Sequence, residues 1–155
     1  MTVRVQRQDF DLGAEYQNLA EKNKVSGAIV AFVGRVRDFQ DNRDNKETKV
    51  TAMVLEHYPA MTTKELKRIE AEAHDRWPLD ASLIIHRHGR LEPGDQIVLV
   101  LTASARREDA FASAEFLMDF LKTNAPFWKQ LETNQGTEWV DAHQKDEKAV
   151  DRWKK

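Results

Sequence analysis

Residues 104–132 read SARREDAFASAEFLMDFLKTNAPFWKQLE, and the parsing of this stretch decides the fold. Ala110, Phe111, Ala114, Leu117, Met118 and Leu121 recur at helical spacing and form one broad apolar stripe. Pro126 cannot continue that helix, because it lacks an N–H and its ring clashes with the carbonyl four residues back. Phe127 to Glu132 is therefore predicted as a strand, joined through Asn134-Gln135-Gly136 to a second strand, Thr137 to Val140. Four cations frame the segment: Arg106 and Arg107 where the helix begins, Lys122 and Lys129 around its end. With so little acid among them, they are expected to make a pocket for an anion.

Working outward, Gln96 to Ala103 (QIVLVLTA) and Ala81 to His88 (ASLIIHRH) read as two strands of a hairpin, turned at Pro93-Gly94-Asp95. Before them, Thr62 and Glu65 have capping-box spacing and Met61 and Leu66 that of a hydrophobic staple, so a helix is expected to start there. Pro78 stops it near Trp77. Val50 to Tyr58 alternates as a strand. Residues 38–49, DFQDNRDNKETK, are polar and predict a mobile loop. Ala28 to Val36 (AIVAFVGRV) reads as a buried central strand interrupted by Gly34. Asp11 is placed to cap a short helix, and Val3 to Arg7 alternates as a half-buried strand. About 143–155 is expected to form a charged tail, a frayed helix with Trp153 as its one anchor. The order mixes hairpins with about three helices, which predicts a single α+β domain over 1–155.

Composition narrows the function. The 155 residues are 41% hydrophobic and 32% charged with a formal net charge of −2, which suits a globular domain and gives no bulk attraction for nucleic acid. There is no cysteine, which excludes disulfides, thiolate metal sites and a cysteine nucleophile. No apolar run approaches the ~20 residues needed to span a membrane, and MTVRVQRQDF lacks a signal core. A cytoplasmic protein is expected.

Several residues are candidates for chemistry. A helix N-terminus repels arginine and attracts anions, so Arg106 and Arg107 either hold an anion or pair with Glu108 and Asp109. Lys122 is also explained by the dipole at a helix C-terminus. Lys129 is harder to dismiss, because it follows Phe127-Trp128, where a partly desolvated ammonium can serve as general acid/base or hold an oxyanion. Arg35 and Arg37, two apart on a strand, share a face at its end. His86 and His88 have a metal-ligand spacing but lack a further ligand in sequence, so hydrogen bonding in the hairpin is the expected role and no metal is predicted.

These stretches resemble a known family. GAIV at 27–30 running into GRVRD, LEHYPAM at 55–61, DRWPL at 75–79, HRHGRLEPGD at 86–95 and above all LMDFLKTNAPFWK at 117–129 are similar to the MoaE family of molybdopterin synthase large subunits. The resemblance spans about residues 26 to 142. It implies an α/β hammerhead fold and an enzyme that puts two sulfurs onto cyclic pyranopterin monophosphate, without a cofactor of its own. It also implies a partner: a small ubiquitin-like sulfur carrier whose C-terminal Gly-Gly thiocarboxylate enters the pocket of a large-subunit homodimer, giving a heterotetramer. A chain without cysteine fits an external sulfur donor. By position, Lys122 and Lys129 match the family's catalytic lysines. Arg35, Val36, Arg37, Arg106, Arg107, Gln130 and Leu131 fall in segments implied to bind substrate, with Phe32 and Met118 lining the pocket. Arg106 stands where the family usually has histidine. The alternative is a non-catalytic dimeric scaffold that binds a partner's extended tail. RNA binding is disfavoured, because the aromatics form no exposed stacking series.

Overall fold

A computed structural model describes residues 1–41, 47–140 and 144–154. The first sheet is built on β7 (Gln96–Ser104) and β5 (Leu79–Arg87), which pair antiparallel from Leu79↔Ser104 to His86↔Val98. Outside β5 lies β1 (Thr2–Gln6), parallel to it, and outside β7 lies β2 (Ala28–Arg35), antiparallel to it. The order β1-β5-β7-β2 makes β2 an edge. Its residues are half-buried or exposed, with Phe32 40% exposed, so the expectation of a buried central strand is corrected. An apolar run signals burial of side chains against a layer and does not by itself report neighbours on both edges.

Helices cover both faces of this sheet. On one side α1 (Leu12–Lys22), capped by Asp11 accepting from the Ala14 N–H, brings Leu19 against Leu83, Ile85, Leu99 and Leu101. On the other, α2 (Pro59–Arg76) and α3 (Arg107–Thr123) bury Leu66, Ile69, Phe116 and Leu117 against Ile84 and Val100. The alternation of strand side chains accounts for the split, and residues of both β5 and β7 are buried in each direction. The buried face of α3 comprises Ala110, Ser113, Ala114, Phe116, Leu117, Phe120 and Leu121. Phe111 falls outside it at 63% exposure, a correction to the expected stripe.

Two further expectations change. The helix start at Thr62–Glu65 is replaced by one at Pro59, whose fixed φ and missing N–H suit the first helical position. Thr62 is instead fully buried inside α2, its Oγ 3.2 Å from His57 Nδ1. The tail forms α4 (Gln144–Asp151), the helix expected there, in addition to the three main ones. Trp153 is not its one anchor: Val150 is buried too, and Arg152 pairs with Asp119 at 2.6 Å.

The second sheet carries β3 (Phe39–Asp41), β4 (Glu47–His57), β8 (Phe127–Thr133) and β9 (Gly136–Val140), with β6 (Gly89–Leu91) also on β4. Residues at both ends of the expected loop 38–49 are thus paired strands, Phe39↔Lys49 to Asp41↔Glu47. Residues 42–46 of that loop lie outside the described residues. The expected hairpin after Pro126 is present as β8 and β9, from Lys129↔Val140 to Thr133↔Gly136. Val36, Val50, Met53, Leu55, Leu91 and Leu131 make its core.

Candidate active site

Where the end of β2, the C-terminal turn of α3 and the inner face of β8 come together, they enclose a cleft of about 630 Å³. Each element contributes for a local reason. β8 starts immediately after Pro126, and strand alternation turns Phe127, Lys129 and Leu131 inward while Trp128 and Gln130 face out. Lys129 is half-buried there. The last turn of α3 presents Met118, Leu121 and Lys122. β2 supplies Phe32 and Arg35, with Arg37 just beyond it.

The end of β2 is shaped by two glycines. At Gly34 a side chain's first carbon would sit 2.7 Å from Val98 Cγ1, and the register with β7 shifts between Gly34 and Arg35. Gly94, at φ +90°, makes the turn that meets this strand end: its N–H donates to Val36 O and Asp95 O accepts from the Val36 N–H. Arg35 Nε donates to the Gly94 carbonyl at 3.1 Å, which holds the guanidinium at the cleft rim. Val36 itself is buried in the second-sheet core. It lines a smaller adjoining hollow with Arg35, Arg37 and Gly94.

The predicted site residues thus divide. Arg35, Arg37, Lys122, Lys129, Leu131, Phe32 and Met118 line one cleft. Gln130 lies on the outer face of β8, opposite Trp139. Arg106 and Arg107 start α3, and sixteen residues at 1.5 Å per residue place them roughly 24 Å along the helix from Lys122. Arg106 pairs there with Asp109 at 3.2 Å and Glu108 at 3.4 Å, as the plain reading of its sequence neighbours suggested. Within one chain the two arginines and two lysines do not converge.

His86 is a cleft residue that sequence reasoning treated as a hairpin group. It is 8% exposed, and its ring stacks on Phe127 at 3.8 Å between centroids. Nδ1 donates to the Arg87 carbonyl at 2.8 Å, which assigns the neutral tautomer with a bare Nε2. Burial pushes its pKa down to about 4, with smaller contributions from neighbouring His57 and His88. The signal was present in the alternation: two residues after the buried Ile84, His86 had to face the same core. His88 lies past the strand and packs on His57 at 4.4 Å; burial lowers the pKa of both. Among the described residues no group of three potential ligands is placed to hold a metal, and no helix is long and apolar enough to cross a membrane.

Four cations line the cleft: Lys122 and Lys129 on the helix-and-strand pair that Pro126 folds together, and Arg35 and Arg37 at the end of β2 in place of the expected Arg106 and Arg107. The sequence model described as MoaE protein matches residues 5–124. The chain belongs to the MoaE family. The molybdopterin synthase catalytic subunit of Pseudomonas aeruginosa is 51% identical over 153 residues, 99% of each chain. The MoaE molybdopterin biosynthesis protein of Burkholderia ambifaria has a solved structure that superposes with a TM-score of 0.82 at 52% identity, covering 98% of this chain and 97% of that one. The molybdopterin synthase of Staphylococcus aureus superposes with 0.78 at 28% identity, over 89% and 96%. The α+β architecture with its two sheets is therefore the MoaE fold.

Proposed function

We propose that this MoaE chain is the catalytic subunit of a molybdopterin synthase, acting in the cytoplasm as a sulfurtransferase. The observation that carries the proposal is the convergence of Lys122, Lys129, Arg35 and Arg37 on one cleft. The substrate is cyclic pyranopterin monophosphate, and the sulfur comes from a small ubiquitin-like partner with a C-terminal Gly-Gly thiocarboxylate. A chain without cysteine has no thiol to carry sulfur, so an external donor is required. The relatives' name, catalytic subunit, also speaks for assembly with a second kind of chain.

The cleft suits both reactants. Guanidinium forks bind phosphate in a bidentate fashion, so Arg35 and Arg37 hold the substrate's phosphate at the rim. Apolar walls, including Phe32, Met118 and Leu131, bury its ring. The thiocarboxylate sulfur bonds to a substrate carbon as that carbon's bond to oxygen breaks, giving a thioester. Water then adds to the acyl carbon, negative charge develops on the acyl oxygen, and the acyl–sulfur bond breaks to leave sulfur on the substrate and a carboxylate on the carrier. Lys122 and Lys129 are the cations placed to stabilise that charge, and loss of such a group typically costs ~10²–10³ in rate. Each turnover half-step consumes one thiocarboxylate and returns a carboxylate, so two are needed for two sulfurs.

Arg106 and Arg107 enter this reading from a second copy. They start α3 roughly 24 Å from their own Lys122, too far to share a ligand of pterin size. In a symmetric dimer the start of one α3 is free to approach the partner's cleft. Gln130 and Val36 contribute by shaping β8 and the strand end that carries Arg35.

The test is reconstitution with thiocarboxylated partner and precursor. Wild-type protein is expected to form molybdopterin, and Lys122→Ala and Lys129→Ala to lower the rate at least ~10²-fold with folding intact. Normal turnover by both variants removes the mechanism. Tail binding by the protein without turnover returns the scaffold reading instead.

A further inference from the structure

The cleft's chemistry is lopsided. Arginine and lysine donate hydrogen bonds and accept none. Most of the remaining described lining is apolar, and the Thr123 hydroxyl is engaged locally with Asp119 O and Asn124 Oδ1. A phosphate, all acceptor, is served by such a wall. A heterocycle with ring N–H and amino donors is not, because each buried donor left unpaired weakens binding. Besides the Thr123 hydroxyl oxygen, whose two bonds are donations, the described side chains of the lining offer one nitrogen or oxygen acceptor, His86 Nε2.

Three observations prepare that nitrogen. The Nδ1–H bond to Arg87 O leaves the lone pair on Nε2. The stack on Phe127 fixes the ring plane. His86 keeps 8% of its surface exposed, and it is a lining residue of the cleft.

We propose that His86 is a specificity-determining residue, whose Nε2 accepts a hydrogen bond from an N–H of the bound pterin ring while the cations hold the phosphate. This rests on the cleft being the pterin site. His86 then reads the ring, and the arginines and lysines read the charge. It is not the proton carrier of the reaction, since a buried imidazole that stays neutral at neutral pH is a poor match for that task.

Two variants separate contact from support. His86→Phe keeps a ring on Phe127 and removes the acceptor; His86→Gln removes the ring and keeps an acceptor. By calorimetry on the full-length protein, His86→Phe is expected to bind cyclic pyranopterin monophosphate ~10-fold more weakly, the scale of one hydrogen bond. Its affinity for inorganic phosphate stays unchanged. His86→Gln is expected to stay within about threefold of wild type for both ligands. The reverse ranking, phenylalanine tolerated and glutamine damaging, means that the ring merely supports Phe127 and overturns the proposal. A parallel loss of pterin and phosphate affinity overturns it too. If either variant fails to fold, the ¹⁵N resonance of Nε2 in wild-type protein decides: it moves on adding the precursor and not on adding phosphate, or the proposal is wrong. Wild-type protein that binds phosphate but no precursor overturns the pterin reading of the cleft itself, and His86's role with it.

Discussion

His86 shows how much one position does in this molecule. Its neutral form is favoured by burial, so folding disfavours the proton it would otherwise bind. The folded pKa of about 4 lies below the ordinary value of 6.5. Stability is therefore whole above pH 6.5 and is lost as pH falls from there toward 4. Full development of that shift amounts to about 3 kcal/mol. Urea midpoints measured from pH 7 to 4 are expected to fall less steeply for His86→Phe than for wild type. Glu70, whose pKa burial raises, contributes in the opposite sense, but it is present in both proteins and drops out of the difference. Equal slopes would show that the imidazole is not sequestered from protons. At this scale the sequence was partly legible. Lys129 stood out because its neighbours are aromatic, and Arg35 because it ends an apolar strand. For His86 the alternation of β5 gives the inward direction, but not the stack on Phe127, forty-one residues away in the chain and adjacent only after folding.

Elements were read well where a residue's own chemistry dictates the backbone. Pro126 forces the break between α3 and β8, Asp11 caps α1, and the Gly94 and Gly136 turns, both at positive φ, close where glycine allows. They were misread where tertiary context outweighs a local pattern. The Thr62–Glu65 spacing is a true capping signature, yet Pro59 begins the helix earlier and Thr62 is buried beside His57. β2 is apolar although it is an edge strand, because Ile29 and Val33 pack into the cluster that includes Leu19 of α1 and Val30 into the one that includes Phe116 of α3. The tail offers a test at this scale. Trp153 packs edge-on against Trp77 and Phe116, and its Nε1–H donates to Asp119 at 2.7 Å. It thereby ties α4 to the half of α3 that carries Lys122. Trp153→Ala is expected to cost ~2–3 kcal/mol, below the ~3–5 of a fully buried ring because Trp153 is only half-buried. Thermal unfolding measures the loss, and an unchanged Tm would mean that α4 does not brace the helix.

At the scale of the whole molecule, the distance along α3 becomes an argument about assembly. Anion-attracting groups occur at both ends of one rigid helix, and a single ligand cannot bridge roughly 24 Å. The sequence presented Arg106, Arg107, Lys122 and Lys129 as one cluster, because proximity along a chain was read as proximity in space. Folding separates them within one chain, and the proposed dimer, in which a two-fold axis brings the start of one α3 to the partner's cleft, would reunite them. That arrangement has a quantitative signature. If each site takes Lys129 from one copy and Arg107 from the other, then Arg107→Ala and Lys129→Ala homodimers are both defective. Mixed and allowed to exchange subunits, half of the dimers are heterodimers, and each holds one fully wild-type site of its two. Activity is expected to recover to about a quarter of the wild-type level per chain. Sites built within one chain give no recovery on mixing, because every cleft then keeps its own lesion. Turnover measured before and after exchange, with size-exclusion chromatography to show that dimers form, distinguishes the two arrangements without any variant having to be active alone.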